Sequence, residues 1–118
     1  MSPTTFEAPA QDERAGAVFA ALADPTRRLL VRTLAASGAA TISQLAAELP
    51  ITRQATAKHL GVLAEAGLVT ITAAGRERRC TFNSDALNDA VTWMLATGDG
   101  WDRRLERLQR TAAAARAN

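Results

Sequence analysis

The stretch from Thr41 to Gly67 constrains the fold more than any other part of the chain. Thr41 and Gln44 have the spacing of a capping box, and Ile42, Leu45, Ala46 and Leu49 follow at helical intervals. Pro50 stops that short helix, because proline has no N–H to donate and its ring crowds the preceding turn. Thr52 then caps a second helix, which runs to about Ala66 and ends at Gly67. The connection, Leu49-Pro50-Ile51, is so short that the two helices must cross at a steep angle. That is the geometry of a helix-turn-helix.

The flanking segments extend this unit on both sides. Asp12 to Ala23 places Ala15, Val18, Phe19 and Leu22 on one helical stripe. Asp24 then offers a carboxylate to the free N–H groups of the next helix, with Pro25 suited to its first position. Leu29, Leu30, Thr33 and Leu34 carry that helix to Gly38. After Gly67 the apolar period changes from 3.6 to 2. Val69, Ile71 and Ala73 alternate along one strand, and Arg76, Arg78, Cys80 and Phe82 along a second, around Ala74-Gly75. Asn83 and Ser84 cap a last helical region whose apolar set is Leu87, Ala90, Val91, Met94, Leu95, Trp101, Leu105 and Leu108. Gly98-Asp99-Gly100 is a point where that helix can kink or break. The expected fold is mainly α with a small β-hairpin, a winged helix-turn-helix over residues 12–110. Residues 1–11 read as a flexible N-terminal arm, and 111–118 as a C-terminal tail.

Composition narrows the function. At 118 residues the chain supports one core. A single cysteine, Cys80, excludes an internal disulfide and a cysteine-based zinc site, and a single histidine, His59, excludes a histidine cluster. No cofactor and no metal is expected. No apolar run reaches the ~20 residues of a membrane span, and Met1 to Gln11 lacks the features of a signal peptide, so the expected location is the cytoplasm. No catalytic triad, phosphate-cradling loop or paired carboxylates can be assembled, so the chain does not read as an enzyme.

The net charge of +2 hides a strong asymmetry. Residues 1–24 carry Arg14 against Glu7, Asp12, Glu13 and Asp24, a charge of −3. Residues 25–84 carry Arg27, Arg28, Arg32, Arg53, Lys58, Arg76, Arg78 and Arg79 against Glu48, Glu65 and Glu77, a charge of +5. The remainder is neutral. The basic excess therefore coincides with the helix-turn-helix and hairpin, as attraction to phosphates requires.

A helical wheel of the second helix puts Ala55, His59, Val62, Leu63 and Ala66 on the inner side. Arg53, Gln54, Ala57, Lys58 and Gly61 fall on the outer side, with Gln54 and Thr56 near its edges. Small and polar residues there allow a helix to enter the major groove of double-stranded DNA. Arg53, Gln54, Thr56 and Ala57 are the expected base contacts, and Thr52 and Lys58 the expected backbone contacts. Arg76, Arg78 and Arg79 at the hairpin tip would follow the backbone or enter a minor groove. The blander readings are a solvated helix face and a charged tip that keeps an edge strand soluble.

The segments ALADPTRRLLVRTLA, TISQLAAELPITRQATAKHLGVLAEAGLV and GRERRCTFN together resemble the ArsR/SmtB family of bacterial transcriptional repressors. The resemblance covers about residues 13–110. It implies a homodimer joined through its first and last helices, reading a palindromic operator. The residues placed at that interface are Val18, Phe19, Leu22, Val91, Met94, Leu95, Trp101 and Leu105. The chain departs from the metal-sensing members. Thr41 and Ser43 stand where those have a Cys-x-Cys pair, and the last helix lacks the histidines of the other metal site. The resemblance is thus to the non-metal branch, with any small-molecule effector unknown.

Other residues have structural readings beside the functional ones. His59 reads as a packed histidine, with a phosphate contact as the alternative. Cys80 reads as a buried small residue, with a thiol switch beside the wing as the alternative. Trp93 and Trp101 read as core or interface residues, with a ligand pocket as the alternative. The Arg103, Arg104, Arg107 and Arg110 run is balanced by neighbouring acids and reads as a solvated face. Three functional readings follow: a DNA-binding repressor, a winged-helix protein-interaction module without DNA binding, and a ligand- or thiol-responsive version of the repressor.

Overall fold

The caps at Asp24, Thr41 and Thr52 act where the sequence places them, but the third helix ends at Ala47 with Glu48 as its cap, before Pro50 is reached, so the turn is longer than Leu49-Pro50-Ile51. In the computed structural model, which describes residues 7–117, α1 spans Glu7–Ala21 and α2 spans Pro25–Ser37. Asp24 accepts from the backbone N–H groups of Thr26 at 2.8 Å and Arg27 at 3.1 Å, and Pro25 opens α2. Those N–H groups, the Arg27 one above all, hold the Asp24 carboxyl below its ordinary pKa. Gly38, at φ 86°, ends α2 in a conformation that suits glycine. Strand β1 (Ala39–Thr41) leads into α3 (Ile42–Ala47), and the capping box of Thr41 and Gln44 is formed in both directions. Helix α4 (Arg53–Glu65) follows, capped by Thr52.

The remaining elements are β2 (Val69–Ala74), β3 (Glu77–Phe82) and α5 (Ser84–Ala117). The two long strands pair antiparallel from Val69 opposite Phe82 to Ala74 opposite Glu77. Gly75, at φ 66°, takes the first position of the two-residue turn, where hairpins favour glycine. The sheet has a third strand that the hairpin pattern does not announce. β1 pairs with β3 on its other edge, Ala39 opposite Thr81 and Thr41 opposite Arg79, giving the order β1-β3-β2. Leu30 and Leu34 of α2, Leu45 of α3, Leu60 and Leu63 of α4, Leu68 and Cys80 close the core beneath the sheet.

Two segments differ from expectation. The arm assigned to residues 1–11 is helical from Glu7; its first six residues lie outside the described ones. Gly98 and Gly100 do not interrupt α5, which runs unbroken for 34 residues, about 51 Å, through the segment assigned as a tail. A cost of about 1 kcal/mol per glycine is outweighed by the alanines, leucines and arginines around them, all strong helix formers. The first turns of α5 pack on α1. Phe19 meets Trp93 edge-to-face at 5.6 Å, Trp93 Nε1 donates to Asp12 Oδ1 at 2.6 Å, and Arg14 lies 3.4 Å from Asp89. Beyond Leu95 the helix leaves the body, and residues 101–116 are exposed.

Candidate nucleic-acid interface

Helix α4 turns one polar face outward, and the cap at its start is structural before it is functional. Thr52 Oγ1 accepts from Ala55 N at 3.0 Å. Arg53, Gln54 and Lys58 are exposed over the first two turns. Gln54, Lys58, Gly61 and Glu65 share one face by helical spacing, and Arg53 flanks it on the side of α3. The buried face opposite consists of Thr56, Leu60 and Leu63.

This corrects the wheel at one of the expected base contacts and leaves another at the margin. Thr56 is fully buried and cannot face a base. Its hydroxyl donates to the Thr52 carbonyl at 2.9 Å, so a polar residue is tolerated in the core because its donor is satisfied one turn back. Ala57 is half-buried with its methyl packed against the core, at the margin of the outer face. The 100° wheel sets Thr56 near the edge of the outer face, whereas packing turns it inward with Leu60 and Leu63.

The side chains of the wing arginines make no hydrogen bond or ion pair among the described residues. Arg76, Arg78 and Arg79 are exposed, with Arg78 opposite Ala73 and Arg79 opposite Thr72. Cys80 lies fully buried between the sheet and the helices. Burial pushes its thiol pKa up, against a smaller opposing effect of Arg78. The buried reading of Cys80 therefore applies, and the thiolate required for a facile switch is disfavoured.

Not all of the basic middle segment faces outward to DNA. Arg27 donates from Nε to Ala21 O at 2.6 Å and from Nη2 to Ala20 O at 3.3 Å, and Arg28 Nη1 donates to Leu22 O at 2.7 Å. These two guanidiniums satisfy the last carbonyls of α1, which carries no basic residue in its own last turn. Arg27 Nη1 also lies 3.4 Å from His59 Nδ1, so the half-buried histidine joins α4 to the start of α2.

The structure also brings together residues that sequence reasoning left without a role. Ser43 Oγ accepts from Arg53 Nε at 3.1 Å and donates to Glu77 Oε1 at 3.5 Å. The β1–β3 pairing, which ends with Thr41 opposite Arg79, brings the start of α3 close to the start of β3. Without β1 in view, no sequence signal joins them.

The apolar residues assigned to a dimer interface divide into two groups. Val18 belongs to the chain's own core and is buried there, and Leu22 is half-buried against it. Phe19, Val91, Met94, Leu95, Trp101 and Leu105 are exposed, Leu95 by 63% and Trp101 by 55%.

Residues 22–72 match a helix-turn-helix domain family. An uncharacterized HTH-type transcriptional regulator of Bacillus subtilis (strain 168), YuzN, is 43% identical over 64% of this chain and 88% of its own length. The transcriptional repressor SdpR of the same organism is 31% identical over 66% of this chain and 86% of its own. Among solved structures, an ArsR-like transcriptional regulator from Rhodococcus sp. RHA1 is 37% identical, covering 87% of this chain and 96% of that one, with a TM-score of 0.79. The chain belongs to the ArsR family of winged helix-turn-helix transcriptional regulators.

As an ArsR-family regulator it binds DNA through the helix-turn-helix and is similar to regulators, not enzymes. Its α3 does not fit the thiolate metal site of some family members. The Thr41 hydroxyl is committed to the α3 cap and the Ser43 hydroxyl to Arg53 and Glu77, and neither supplies a thiolate. Among the described residues no group of three or more His, Cys, Asp and Glu side chains gathers to hold a metal ion, and no helix is long and apolar enough to cross a membrane.

Proposed function

We propose that this chain is a repressor that acts as a homodimer on a two-fold-symmetric operator. Gln54 and Arg53 read base edges in the major groove, Thr52 and Lys58 hold phosphates, and Arg76, Arg78 and Arg79 of the wing grip the backbone or a minor groove. The observation that carries the DNA contacts is the outward polar start of α4, where Arg53, Gln54 and Lys58 are all exposed on one short helix. Resemblance to a named repressor supports the direction of regulation. The exposed apolar residues of α5, continuous with Phe19 on α1, support a second copy as the partner. A two-fold dimer would set its recognition helices about 34 Å apart, on successive major grooves.

The test is a titration of the full chain against duplex DNA from upstream of its own gene, with sedimentation of the free and bound protein. A salt-sensitive complex of two chains per site is expected. Absence of any shift at low salt would favour the protein-interaction module instead.

A further inference from the structure

Glu77 is the acid in a wing otherwise rich in arginine, and it is turned inward. Its Oε2 is buried and has no hydrogen-bond partner among the described residues. A buried carboxylate oxygen without a donor is costly, so its placement demands a reason. The other oxygen provides one. Oε1 accepts from Ser43 Oγ, which in turn accepts from Arg53 Nε, the first residue of the recognition helix.

This short chain of bonds has a direction. A guanidinium only donates, a hydroxyl does both, and an ionised carboxylate only accepts. Arg53 and Glu77 thus stand at the two ends of a link through one serine, in which the Arg53 bond at 3.1 Å is the short member and the Glu77 contact at 3.5 Å the long one. The relay uses Arg53 through Nε alone. Among the described residues, Nη1 and Nη2 make no hydrogen bond or ion pair, and the side chain is exposed. Because the guanidinium is planar, tethering Nε restrains the plane of the remaining fork.

We propose that Ser43 and Glu77 are positioning residues for DNA specificity, holding Arg53 by Nε so that its Nη fork meets a guanine edge already oriented. A long exposed arginine loses its rotamer freedom on making a two-pronged contact. The relay moves part of that loss from binding to folding. Glu77 also sits one residue beyond the wing turn, so the relay ties the wing and the reading helix into one frame. This proposal rests on the reading of α4 as the recognition helix.

The test uses the full chain and a duplex selected by it from a randomised DNA pool. Affinities are measured for that duplex, and for duplexes with each guanine replaced in turn. Arg53→Ala should lose discrimination at one guanine per half-site, by about 5- to 150-fold. Ser43→Ala should lose discrimination at the same guanine by about 2- to 12-fold, the range set by ordering one long side chain. Ser43→Thr should restore it. Affinity of Ser43→Ala for mixed-sequence DNA and its salt slope should stay at wild type, because every charge remains. Glu77→Ala, which removes the acceptor and so breaks the relay at its other end, should reduce discrimination at the same guanine. The Ser43→Ala, Arg53→Ala double variant should be no worse than Arg53→Ala alone. Wild-type discrimination by Ser43→Ala, or additive losses in the double variant, would overturn the positioning role while leaving the recognition helix in place. No effect of Arg53→Ala at any guanine would overturn the positioning role, and no effect of Gln54→Ala at any base pair besides would overturn the recognition helix as well.

Discussion

The hydroxyl of Thr56 donates to the carbonyl of Thr52 at 2.9 Å, inside the core. That bond satisfies a hydroxyl on the inward face of α4 beside Leu60 and Leu63, and it separates Thr56 from Gln54, two residues that the sequence alone treats alike. The Thr52 carbonyl also accepts from Thr56 N at 2.9 Å, so it keeps a partner if the hydroxyl is lost. Thr56→Val should therefore cost less than about 1.5 kcal/mol in urea unfolding and leave DNA selectivity unchanged. Gln54→Ala should do the opposite, retaining stability and losing about 1–3 kcal/mol of discrimination at one base pair per half-site. A selectivity change with Thr56→Val would return that residue to the interface.

Arg76 occupies the wing turn, exposed. Arg76→Ala should weaken binding to all duplexes alike and lower the slope of log affinity against log salt by about 1. Isothermal titration at several salt concentrations reads this directly, and a loss confined to one sequence would assign the residue to base reading.

The exposed apolar residues Leu95 and Leu105 lie on the part of α5 that leaves the body. Leu95→Glu with Leu105→Glu should give a monomer by sedimentation with a helical content close to wild type, because neither side chain is in the chain's own core. Operator affinity should fall more than tenfold, since two linked half-sites become independent. A dimer that survives both charges would move the interface elsewhere.

Burial raises the Cys80 thiol pKa, with consequences for reactivity and for pH. The folded chain should resist thiol reagents until it is unfolded, and mild peroxide should leave DNA affinity unchanged. Between the unfolded thiol's pKa, about 8.5, and its higher folded value, the folded state binds more protons than the unfolded one. Stability from this group is therefore complete below about pH 8.5 and falls as the pH rises through the folded value. Cys80→Ala should show a smaller alkaline loss in urea unfolding followed upward from about pH 8.5, the unfolded thiol's pKa.

The starts of α2, α3 and α4 and the end of α2 are legible in the sequence because their causes are local. Asp24 with Pro25, Thr41 with Gln44, Thr52, and Gly38 each act within one helical turn, and each does so in the structure. The exposed Arg53, Gln54, Lys58 and wing arginines were visible for the same reason: charge and hairpin period are properties of short stretches. β1 was not visible, because three half-buried residues have no alternation to show and their partners lie in β3, far along the chain. The destinations of Arg27 and Arg28 were equally hidden, since their acceptors are the end of another helix.

The sequence by itself determined the caps that open α2, α3 and α4, the glycine that ends α2, where the basic excess lies, and that α3 has no thiolates. Each of those follows from residue identity and near neighbours. Only the tertiary structure decided that Thr56 and Val18 point into the core, that two arginines cap α1, and that Glu77 reaches Arg53 through Ser43. The reason is physical: rotation of a helix face and the partner of a long side chain are set by what packs against them from distant parts of the chain, and a pattern read along one element contains neither.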